Sequence, residues 1–374
     1  MNSVHVWTPE LFAPPGGIQT FSRTFLAALK QLLPADEIRV QLKNDLPEAL
    51  PVGGRFAAYG HYSPHLRSAC FAAGCLLRAY RERPRLVIAG HPNFGPLARL
   101  LKQSANIPNI LLTYGIDAWH VRSPARRRAL READLILSIS RHTRERLIET
   151  IGVAPHRVKL LAPTFCAKTF NLAGKPPKLL HKHQLDADTP VILTVCRLAE
   201  AERYKGYDQI IQALPQILRL VPRTRYLLVG SGPDRPRVKK LIADAGVGHA
   251  VTLVGAVPDD ELAGYYNSCD IFAMPSKAEG FGIVYLEALA CGKPVLAGDR
   301  DGARDALNDG ELGLLVDADN VEQIAGEIIR VLRREHGHPN IFKPEYLNRR
   351  ITELFGVARF QQTVREHLEA FLVN

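Results

Sequence analysis

The chain has 374 residues, of which 46% are hydrophobic and 23% charged, the proportions of a soluble globular protein. A chain of this length is longer than a typical domain with one hydrophobic core, and we therefore predict two domains. No apolar run approaches the roughly 18 residues that a membrane-spanning helix requires. The first residues also lack the basic and apolar stretches of a signal peptide. We therefore expect a cytoplasmic protein.

The net charge of +10 is unevenly distributed. Residues 1–174 hold 23 Lys and Arg against 11 Asp and Glu, a net charge of +12, whereas residues 175–374 carry −2. Such a basic surface suits a membrane surface, a lipid diphosphate or a nucleic acid, or is simply solvated. Nucleic acid is not the expected partner, because the chain contains no basic motif interleaved with aromatics and no recognisable DNA-binding element. The excess is concentrated in Arg78, Arg81, Arg83, Arg85, Arg122, Arg126, Arg127, Arg128 and Arg131.

The segment Leu66–Tyr80 mixes apolar residues with Arg67 and Arg78. This pattern is typical of an amphipathic helix lying on a bilayer, and it is equally compatible with a helix of the core. Together with the basic first half, it makes peripheral contact with the inner face of an anionic membrane an expectation for this chain.

The cysteines and histidines predict no metal site. None of the six cysteines forms a CxxC pair or a zinc-ligand spacing, and most stand in apolar surroundings typical of reduced core residues. The 13 histidines are scattered, without an HExxH motif. We expect neither a bound metal nor a cofactor.

Apolar strand-like runs alternate with segments of helical periodicity along the whole chain, which predicts a βα repeat with parallel sheets. In the first half the predicted strands are Val4–Thr8, Leu86–Ala89, Asn109–Thr113, Leu135–Ser138 and Val158–Leu161, and the predicted helices are Gln19–Leu33, Ala125–Glu132 and Thr143–Ile151. In the second half the predicted strands are Val191–Cys196, Arg225–Val229, Val251–Val254, Asp270–Met274, Pro294–Ala297 and Gly313–Val316. The helices that alternate with them are Asp208–Leu220, Pro236–Ala245, Asp259–Asn267, Val284–Cys291, Ala303–Leu307 and Val321–Arg334.

A stretch rich in proline and lysine, Leu172–Lys178, separates the two halves and is typical of a linker. We predict an α/β protein with a basic Rossmann-like domain over residues 1–171, a linker over residues 172–189 and a second Rossmann-like domain over residues 190–354. The two domains are expected to face each other across a cleft. The helical segment 355–374 is expected to pack back on the first domain.

The most informative segment runs from Glu279 to Glu287. A strand-like run ends before Glu279, a turn containing Gly280 and Gly282 follows it, and a helical run carries Glu287. Open α/β sheets bind ligands at this edge, and free N–H groups at a helix start favour a phosphate. The two carboxylates could accept hydrogen bonds from a sugar or a ribose. The plainer interpretation is a surface loop with a charged helix face.

Three further motifs follow predicted strands. The turn Pro14–Gly17 opens the first helix and leaves N–H groups free for phosphate, although it is not the dinucleotide GxGxxG motif. Arg197 and Lys205 could hold a diphosphate, the first bidentately and the second as a point charge. Gly230–Gly232 forms another turn of small residues. Each motif, taken alone, could also be a tight turn or a pair of surface cations.

Taken together and in this order, these elements resemble the retaining glycosyltransferases of family 4, which have the GT-B fold. The Glu-x7-Glu element with Gly-Phe-Gly after the first glutamate is similar to that family's signature. The resemblance covers nearly the whole chain and is strongest in residues 190–317. It implies two Rossmann-like domains across a deep cleft, and metal-independent transfer of a hexosyl group from a UDP- or GDP-sugar to a saccharide or lipid-linked acceptor in exopolysaccharide or cell-envelope synthesis. A GT-B epimerase and a non-catalytic nucleotide-sugar-binding partner are the alternatives.

The resemblance also implies roles for individual residues. Arg197 and Lys205 would bind the donor diphosphate and stabilise it as it departs. Glu279 would accept hydrogen bonds from the donor sugar, and Glu287 from the ribose. The donor site would be completed by residues of the glycine turns and of the helix start: Gly16, Gly17, Gly230, Phe281, Gly282, Ile283 and Val284.

On the acceptor side the candidates are His91, Tyr114 and Asp117. The family often has a histidine before a glycine in the acceptor-facing loop, and Tyr114 stands at that position here. The loop from Asp301 to Asp305 resembles a Gly-Gly-x-x-Glu loop of the family, with Asp301 in place of a glycine and Asp305 in place of the glutamate. The DxD triplets at 299–301 and 317–319 are interpreted as ordinary loop residues.

Overall fold

A computed structural model of the chain describes residues 3–12, 16–51 and 54–372. The chain divides into two compact units, Met1–Thr164 together with Ala358–Asn374, and Phe165–Val357. Each unit is built on a parallel sheet whose strands alternate with helices. The expected α/β class with two Rossmann-like domains is therefore confirmed.

The first unit contains a seven-stranded parallel sheet within the described residues. Its strands are β1 Val4–Thr8, β2 Ile38–Leu42, β3 Phe56–Ala58, β4 Leu86–Ala89, β5 Asn109–Thr113, β6 Leu135–Ser138 and β7 Val158–Leu160. Its helices are α1 Gly17–Leu32, α2 Pro64–Glu82, α3 Gly95–Ala105, α4 Ile116–Trp119, α5 Pro124–Glu132 and α6 Arg141–Arg146, with a π-helical turn over Leu147–Ile151. The strand order β3-β2-β1-β4-β5-β6-β7 reverses direction between β1 and β4, so the carboxyl ends of these two strands flank a crevice.

The second unit repeats this design with six parallel strands among the described residues. The strands are β8 Val191–Val195, β9 Arg225–Val229, β10 Val251–Gly255, β11 Ile271–Met274, β12 Val295–Gly298 and β13 Leu314–Val316. The helices are α7 Pro177–Lys182, α8 Tyr207–Leu220, α9 Arg235–Asp244, α10 Asp259–Ser268, α11 Ile283–Ala290, α12 Ala303–Ala306, α13 Val321–Leu332 and α14 Pro344–Phe355. The order β10-β9-β8-β11-β12-β13 places the reversal between β8 and β11.

The sheets are buried on both faces because their strands are continuous apolar runs. Every residue of β1, β4, β5 and β6 is buried in the first unit, and the same holds for β11 and β12 in the second. Covering helices close each core with one apolar stripe, as α13 does with Ile324 and Ile328. Rigid strands therefore hold the loops at their carboxyl ends in fixed positions.

The last helix, α15, covers Val357–Leu372 and packs on the first unit. The rings of Phe360 and Phe21 meet edge to face at 5.6 Å. His367 Nε2 lies 2.8 Å from the carbonyl oxygen of Leu160, and Arg85 donates to the carbonyl oxygen of Leu372 at 3.0 Å.

The predicted strands and helices are present, with shifts of one or two residues at most of their ends. The segment expected as a linker, residues 172–189, differs from the prediction, because it lies inside the second unit and contains α7. Lys175 pairs with Asp270 at 2.9 Å, and the side chain of Leu180 is buried. This proline- and lysine-rich segment is therefore packed on the second unit, because Lys175 forms an ion pair with Asp270 and Leu180 is buried.

Helix α2 presents two different faces. Phe71 and Cys75 are buried in the core, whereas Leu66 and Leu77 on the other face are 59% and 55% exposed. Of the six cysteines, all of them free, Cys75, Cys196, Cys269 and Cys291 are buried, Cys70 is half-buried and Cys166 is exposed. In the described part of the chain no helix combines the length and apolarity that a membrane crossing would need.

Candidate active site

The predicted donor-site residues of the second unit gather where its strand order reverses. Arg197 follows β8, and Glu279 follows β11, the neighbouring strand in the sheet. Because parallel strands end at the same edge, these two loops flank the crevice in which open α/β sheets bind ligands. Lys205 lies at the end of the 3-10 turn Glu200–Lys205, which leads from β8 into α8.

Lys205 and Glu279 form an ion pair at this edge. Lys205 Nζ donates to Glu279 Oε2 at 2.7 Å, and the two side chains are 15% and 14% exposed. Burial opposes the ammonium charge, but the Glu279 carboxylate and the Tyr204 phenol outweigh it and hold the pKa of Lys205 above its usual value. The crevice therefore contains a permanent cation and, beside it, a hydrogen-bond acceptor.

The turn that carries Lys205 is held against the neighbouring loop by Gly206. This residue has φ +82, and a Cβ at this position would lie 2.2 Å from the carbonyl oxygen of Pro275. Only glycine allows that close approach without strain. The turn is also tied down by Arg203, which donates to the buried carboxylate of Asp234 at 2.7 Å.

Asp234 organises the cations around this turn. Besides Arg203, it accepts hydrogen bonds from Arg237 at 2.7 Å and from the hydroxyl of Tyr207 at 3.1 Å. These donors hold the pKa of Asp234 well below its usual range. Asp234 stands at the start of α9, where an aspartate commonly caps a helix, but its side chain makes no capping hydrogen bond there.

Arg197 is the most exposed of the predicted donor-site residues in the second unit. Its guanidinium forms an ion pair with Glu202, and its side chain is 76% exposed. It lies close enough to Tyr204 to affect the phenol electrostatically, although burial is the main cause that raises the pKa of Tyr204 to about 12. Arg197 thus belongs to the same charged cluster but is not in contact with Glu279 in any hydrogen bond or ion pair of the described residues.

The glycine turn after β9 supports the loop of Arg197. Gly230 has φ +129, and a Cβ there would lie 1.8 Å from the carbonyl oxygen of Cys196. The backbone N–H of Leu198 donates to the carbonyl oxygen of Ser231 at 3.0 Å. The observed contacts of Gly230 are therefore with the Arg197 loop, which explains the need for glycine at this position through packing.

Helix α11 begins directly after the turn that carries Glu279. Gly282 has φ +89, and a Cβ there would lie 2.3 Å from the ring of Tyr285. No side chain caps the helix start, so the backbone N–H groups of Ile283 and Val284 are available to an anion. Phe281 is different, because its side chain is buried against Phe355 with 5.4 Å between ring centroids.

Asp301 holds the Glu279 loop in place. Its Oδ2 accepts hydrogen bonds from Ser276 Oγ at 2.5 Å and from the backbone N–H of Glu279 at 2.6 Å. Its Oδ1 accepts from the N–H of Ala303 at 2.9 Å. Burial raises the pKa of Asp301 to about 7, although these hydrogen bonds oppose the shift. The aspartate that stands in place of a family glycine therefore has structural partners on the Glu279 loop.

Glu287 lies one helical turn further along α11. Its Oε2 accepts a hydrogen bond from the hydroxyl of Tyr266 at 2.7 Å. Tyr266 is buried, and burial raises the pKa of Glu287 to about 7. Tyr266 thus fixes one carboxylate oxygen of Glu287 and leaves the other free to accept a hydrogen bond from a ligand.

In the first unit, Gly17 begins α1 and Gly16 precedes it in extended conformation. A Cβ at Gly17 would meet no atom within 4 Å, so the space above the helix start is open. No side chain caps this helix, and its first N–H groups can meet an anion. Pro14 and Pro15 of the same motif lie outside the described residues.

The acceptor-side candidates of the first unit have different surroundings. His91 follows β4, accepts a hydrogen bond from the N–H of Asn93 on its Nδ1 at 3.1 Å, and is half-buried. Tyr114 packs edge-on against Phe21, and burial raises the pKa of its phenol. Asp117 accepts hydrogen bonds from the N–H of Tyr114 at 3.0 and 3.2 Å. Tyr114 and Asp117 thus stabilise their own loop.

Among the described residues, no group of three or more His, Cys, Asp and Glu side chains is arranged to hold a metal ion. Among the charged side chains that follow the strands of the second sheet are the Lys205–Glu279 pair and Arg197. A bound diphosphate could be neutralised there by these cations and by the start of α11.

Two protein families match the chain, "Glycosyl transferase 4-like domain" over residues 4–164 and "Glycosyl transferases group 1" over residues 177–347. A similar protein is the GDP-mannose-dependent alpha-(1-6)-phosphatidylinositol monomannoside mannosyltransferase of Mycolicibacterium smegmatis, 33% identical over 254 residues, with 64% of this chain and 65% of the relative covered. The D-inositol 3-phosphate glycosyltransferase of Acidothermus cellulolyticus is 31% identical over 252 residues, with 63% and 54% covered. The alignments thus span less than two thirds of the length of these relatives.

Solved structures with the same fold cover the whole chain. HepE of Anabaena, crystallised with UDP and glucose, aligns with a TM-score of 0.78 at 20% identity over 99% of this chain and 100% of HepE. Sucrose-phosphate synthase of Thermosynechococcus elongatus aligns with a TM-score of 0.81 at 22% identity over the full length of both chains. These likenesses confirm the predicted fold class.

Proposed function

Because the chain belongs to the family 4 type of glycosyltransferases with the GT-B fold, we propose that it transfers a hexosyl group from a nucleoside-diphosphate sugar to a hydroxyl group of an acceptor. The single observation that carries this proposal is the Lys205–Glu279 pair beside the uncapped start of α11. This site combines a cation and free N–H groups for a diphosphate with a carboxylate for sugar hydroxyls.

In this proposal, the cations of the site bind the diphosphate of the donor, and the two glutamates bind its sugar and its ribose. Lys205, Arg197 and the N–H groups of Ile283 and Val284 would neutralise the diphosphate, which gains charge as it departs. Glu279 would accept hydrogen bonds from the hexose, and Glu287 would accept them from the ribose. The alternatives of an epimerase or a non-catalytic binding partner use the same donor contacts, so only transfer to an acceptor separates them.

The reaction we propose retains the configuration at the anomeric carbon. The bond between that carbon and the diphosphate oxygen breaks, and the acceptor oxygen bonds to the same face of the sugar. The departing phosphate oxygen takes the proton of the acceptor hydroxyl, so no side-chain nucleophile is required. Lys205 would stabilise the phosphate oxygen in this step. Transfer would proceed without a metal, and undiminished turnover in the presence of a chelator tests that part.

GDP-mannose is the first donor to test, because the mycobacterial relative is named as GDP-mannose-dependent. UDP-sugars are the second, because HepE was crystallised with UDP. We further propose a lipid-linked saccharide acceptor in cell-envelope or exopolysaccharide synthesis. The lipid-linked part is supported by the name of the same relative, a phosphatidylinositol monomannoside mannosyltransferase. The experiment is a transfer assay with labelled donor, wild-type protein and Glu279→Gln.

We also propose that helix α2 contacts an anionic membrane. Leu66, Leu77 and Tyr80 are 59%, 55% and 39% exposed and lie on one face at helical spacing. Arg78 and Arg81 are exposed beside this face. An exposed apolar stripe flanked by arginines suits the boundary between headgroups and acyl chains, where a lipid-linked acceptor would be found.

A further inference from the structure

The first unit contains a cavity of about 440 Å³ at the carboxyl edge of its sheet. Lys43 directly follows β2, Asn93 and Phe94 follow β4, and Arg126 lies in the first turn of α5. All four line the cavity, and so does Phe71 of α2. The cavity thus lies at the edge where open α/β sheets bind ligands.

The cavity carries uncompensated positive charge. No Asp or Glu is among its described lining residues. Neither Lys43 nor Arg126 has a carboxylate partner within the described residues, whereas nearby Arg99 pairs with Glu132 at 2.6 Å. Within the described residues, the guanidinium of Arg126 donates only to the side-chain oxygen of Asn93 at 2.8 Å, so further guanidinium N–H groups remain available.

His91 adds a neutral hydrogen-bond donor next to these cations. Burial, aided by the charges of Arg126 and Lys43, lowers the pKa of His91 to about 4. Its Nδ1 accepts a hydrogen bond from the N–H of Asn93, so the proton of the neutral ring lies on Nε2. His91 thus contacts Asn93, which lines the cavity.

Apart from Ser68 and Ser123, the remaining lining residues are apolar. Phe71 and Phe94 are buried and pack with 4.8 Å between ring centroids. The start of α5, capped by the Ser123 side chain, points its positive end toward the same region. An arginine fork and a lysine point charge beside an apolar wall match a phosphate ester whose organic part is less polar.

We propose that this cavity binds a phosphate group carried by the acceptor substrate, with Lys43 and Arg126 as its two cationic contacts. This inference rests on the proposed transferase function, because only a transferase has an acceptor. The inference narrows the class of acceptor to one that carries a phosphate group. The phosphate can belong to a lipid headgroup or to a soluble phosphate ester, and the two sources share the same recognition chemistry.

The test compares Lys43→Ala/Arg126→Ala with Lys159→Ala/Arg365→Ala, which removes the same charge from exposed positions of the same unit. Binding of inorganic phosphate is followed by 31P line broadening in the presence of saturating GDP, so that the donor site is occupied. In a second arm, co-sedimentation is measured with phosphatidylcholine vesicles that contain phosphatidylinositol. Thermal denaturation checks that both variants are folded.

We expect the first variant to bind inorganic phosphate at least about tenfold more weakly than the wild type and the charge-matched control. An additional loss with phosphatidylinositol vesicles identifies a lipid source, and a loss with inorganic phosphate alone identifies a soluble one. Equal phosphate binding by all three proteins, or an equal loss in both variants, overturns the inference. Failure of the wild type to bind GDP, or any other nucleotide, instead contradicts the proposed function, whichever way phosphate binding responds.

Discussion

The carboxylate of Asp301 accepts a hydrogen bond from the backbone N–H of Glu279, with 2.6 Å between oxygen and nitrogen. In return, the carbonyl oxygen of Glu279 accepts one from the N–H of Gly302 at 2.9 Å. The residue proposed to hold the donor sugar is thus fixed at its backbone by a neighbouring buried acid. The position of its side chain depends on that acid although the acid itself does not need to touch the substrate.

Replacement of Asp301 by asparagine keeps the size but loses an acceptor for one of three donors. We expect turnover to fall about tenfold and stability to fall by about 1–3 kcal/mol, because a buried N–H group loses its partner. The measurements are kcat, donor KM and thermal denaturation. Asp260→Asn on the exposed start of α10 is the control. Wild-type turnover in Asp301→Asn would show that the loop does not depend on this acid.

Lys205→Ala removes the cation beside the departing diphosphate. We expect turnover to fall by at least about an order of magnitude, because the growing negative charge loses its main stabilising group. The carboxylate of Glu279 also loses its partner, so thermal denaturation must accompany the kinetics. Lys240→Ala, which breaks an exposed pair with Asp244, should leave turnover unchanged. A folded Lys205→Ala enzyme with normal turnover would refute the role given to this lysine.

Tyr266→Phe removes the hydroxyl that orients Glu287 and leaves the aromatic ring in place. If Glu287 binds the ribose, donor affinity should fall several-fold with little change in kcat, because the ribose lies far from the reacting carbon. The matched control is Tyr265→Phe, whose hydroxyl contacts His183 at 3.1 Å instead. A Tyr266→Phe enzyme with unchanged donor KM, or a drop in kcat alone, would argue against ribose binding by Glu287.

Leu66→Asp/Leu77→Asp places two charges on the exposed stripe of α2. Binding to vesicles with anionic lipid should fall about tenfold or more, since charged groups resist insertion at the headgroup boundary. Leu220→Asp, a substitution at a similarly exposed leucine of the second unit, is the control. Donor cleavage in solution should be equal in all three proteins. Unaltered vesicle binding would mean that the stripe is only a solvated face.

The second unit was largely predictable because its strands are short apolar runs separated by turn residues. Two strands of the first unit were missed for physical reasons. The run Ile38–Leu42 alternates apolar residues with Arg39 and Gln41, which obscures a parallel strand, and β3 has only three residues. Composition likewise predicted a linker at Leu172–Lys178, where tertiary contacts with Asp270 place the segment inside a unit.

At the candidate site, the sequence predicted the residues that follow strand ends, because parallel sheets bring those ends to one edge. It could not predict the partners that hold them. Asp301 and Glu279 are 22 residues apart, and Tyr266 and Glu287 are 21 apart. These pairs are in contact only because the fold brings separate loops and helices together, so no local sequence pattern predicts them.

The central claim is that the second unit holds a nucleoside-diphosphate sugar for cleavage at its anomeric carbon. The most direct measurement is donor cleavage by wild type and Glu279→Gln across UDP-glucose, UDP-galactose, UDP-N-acetylglucosamine, ADP-glucose and GDP-mannose, with nucleotide binding measured on the same panel. We predict that the wild type cleaves one donor and that Glu279→Gln binds the same nucleotide but cleaves that donor far more slowly. Equal cleavage by both proteins, or binding of no nucleotide on the panel, would contradict the account.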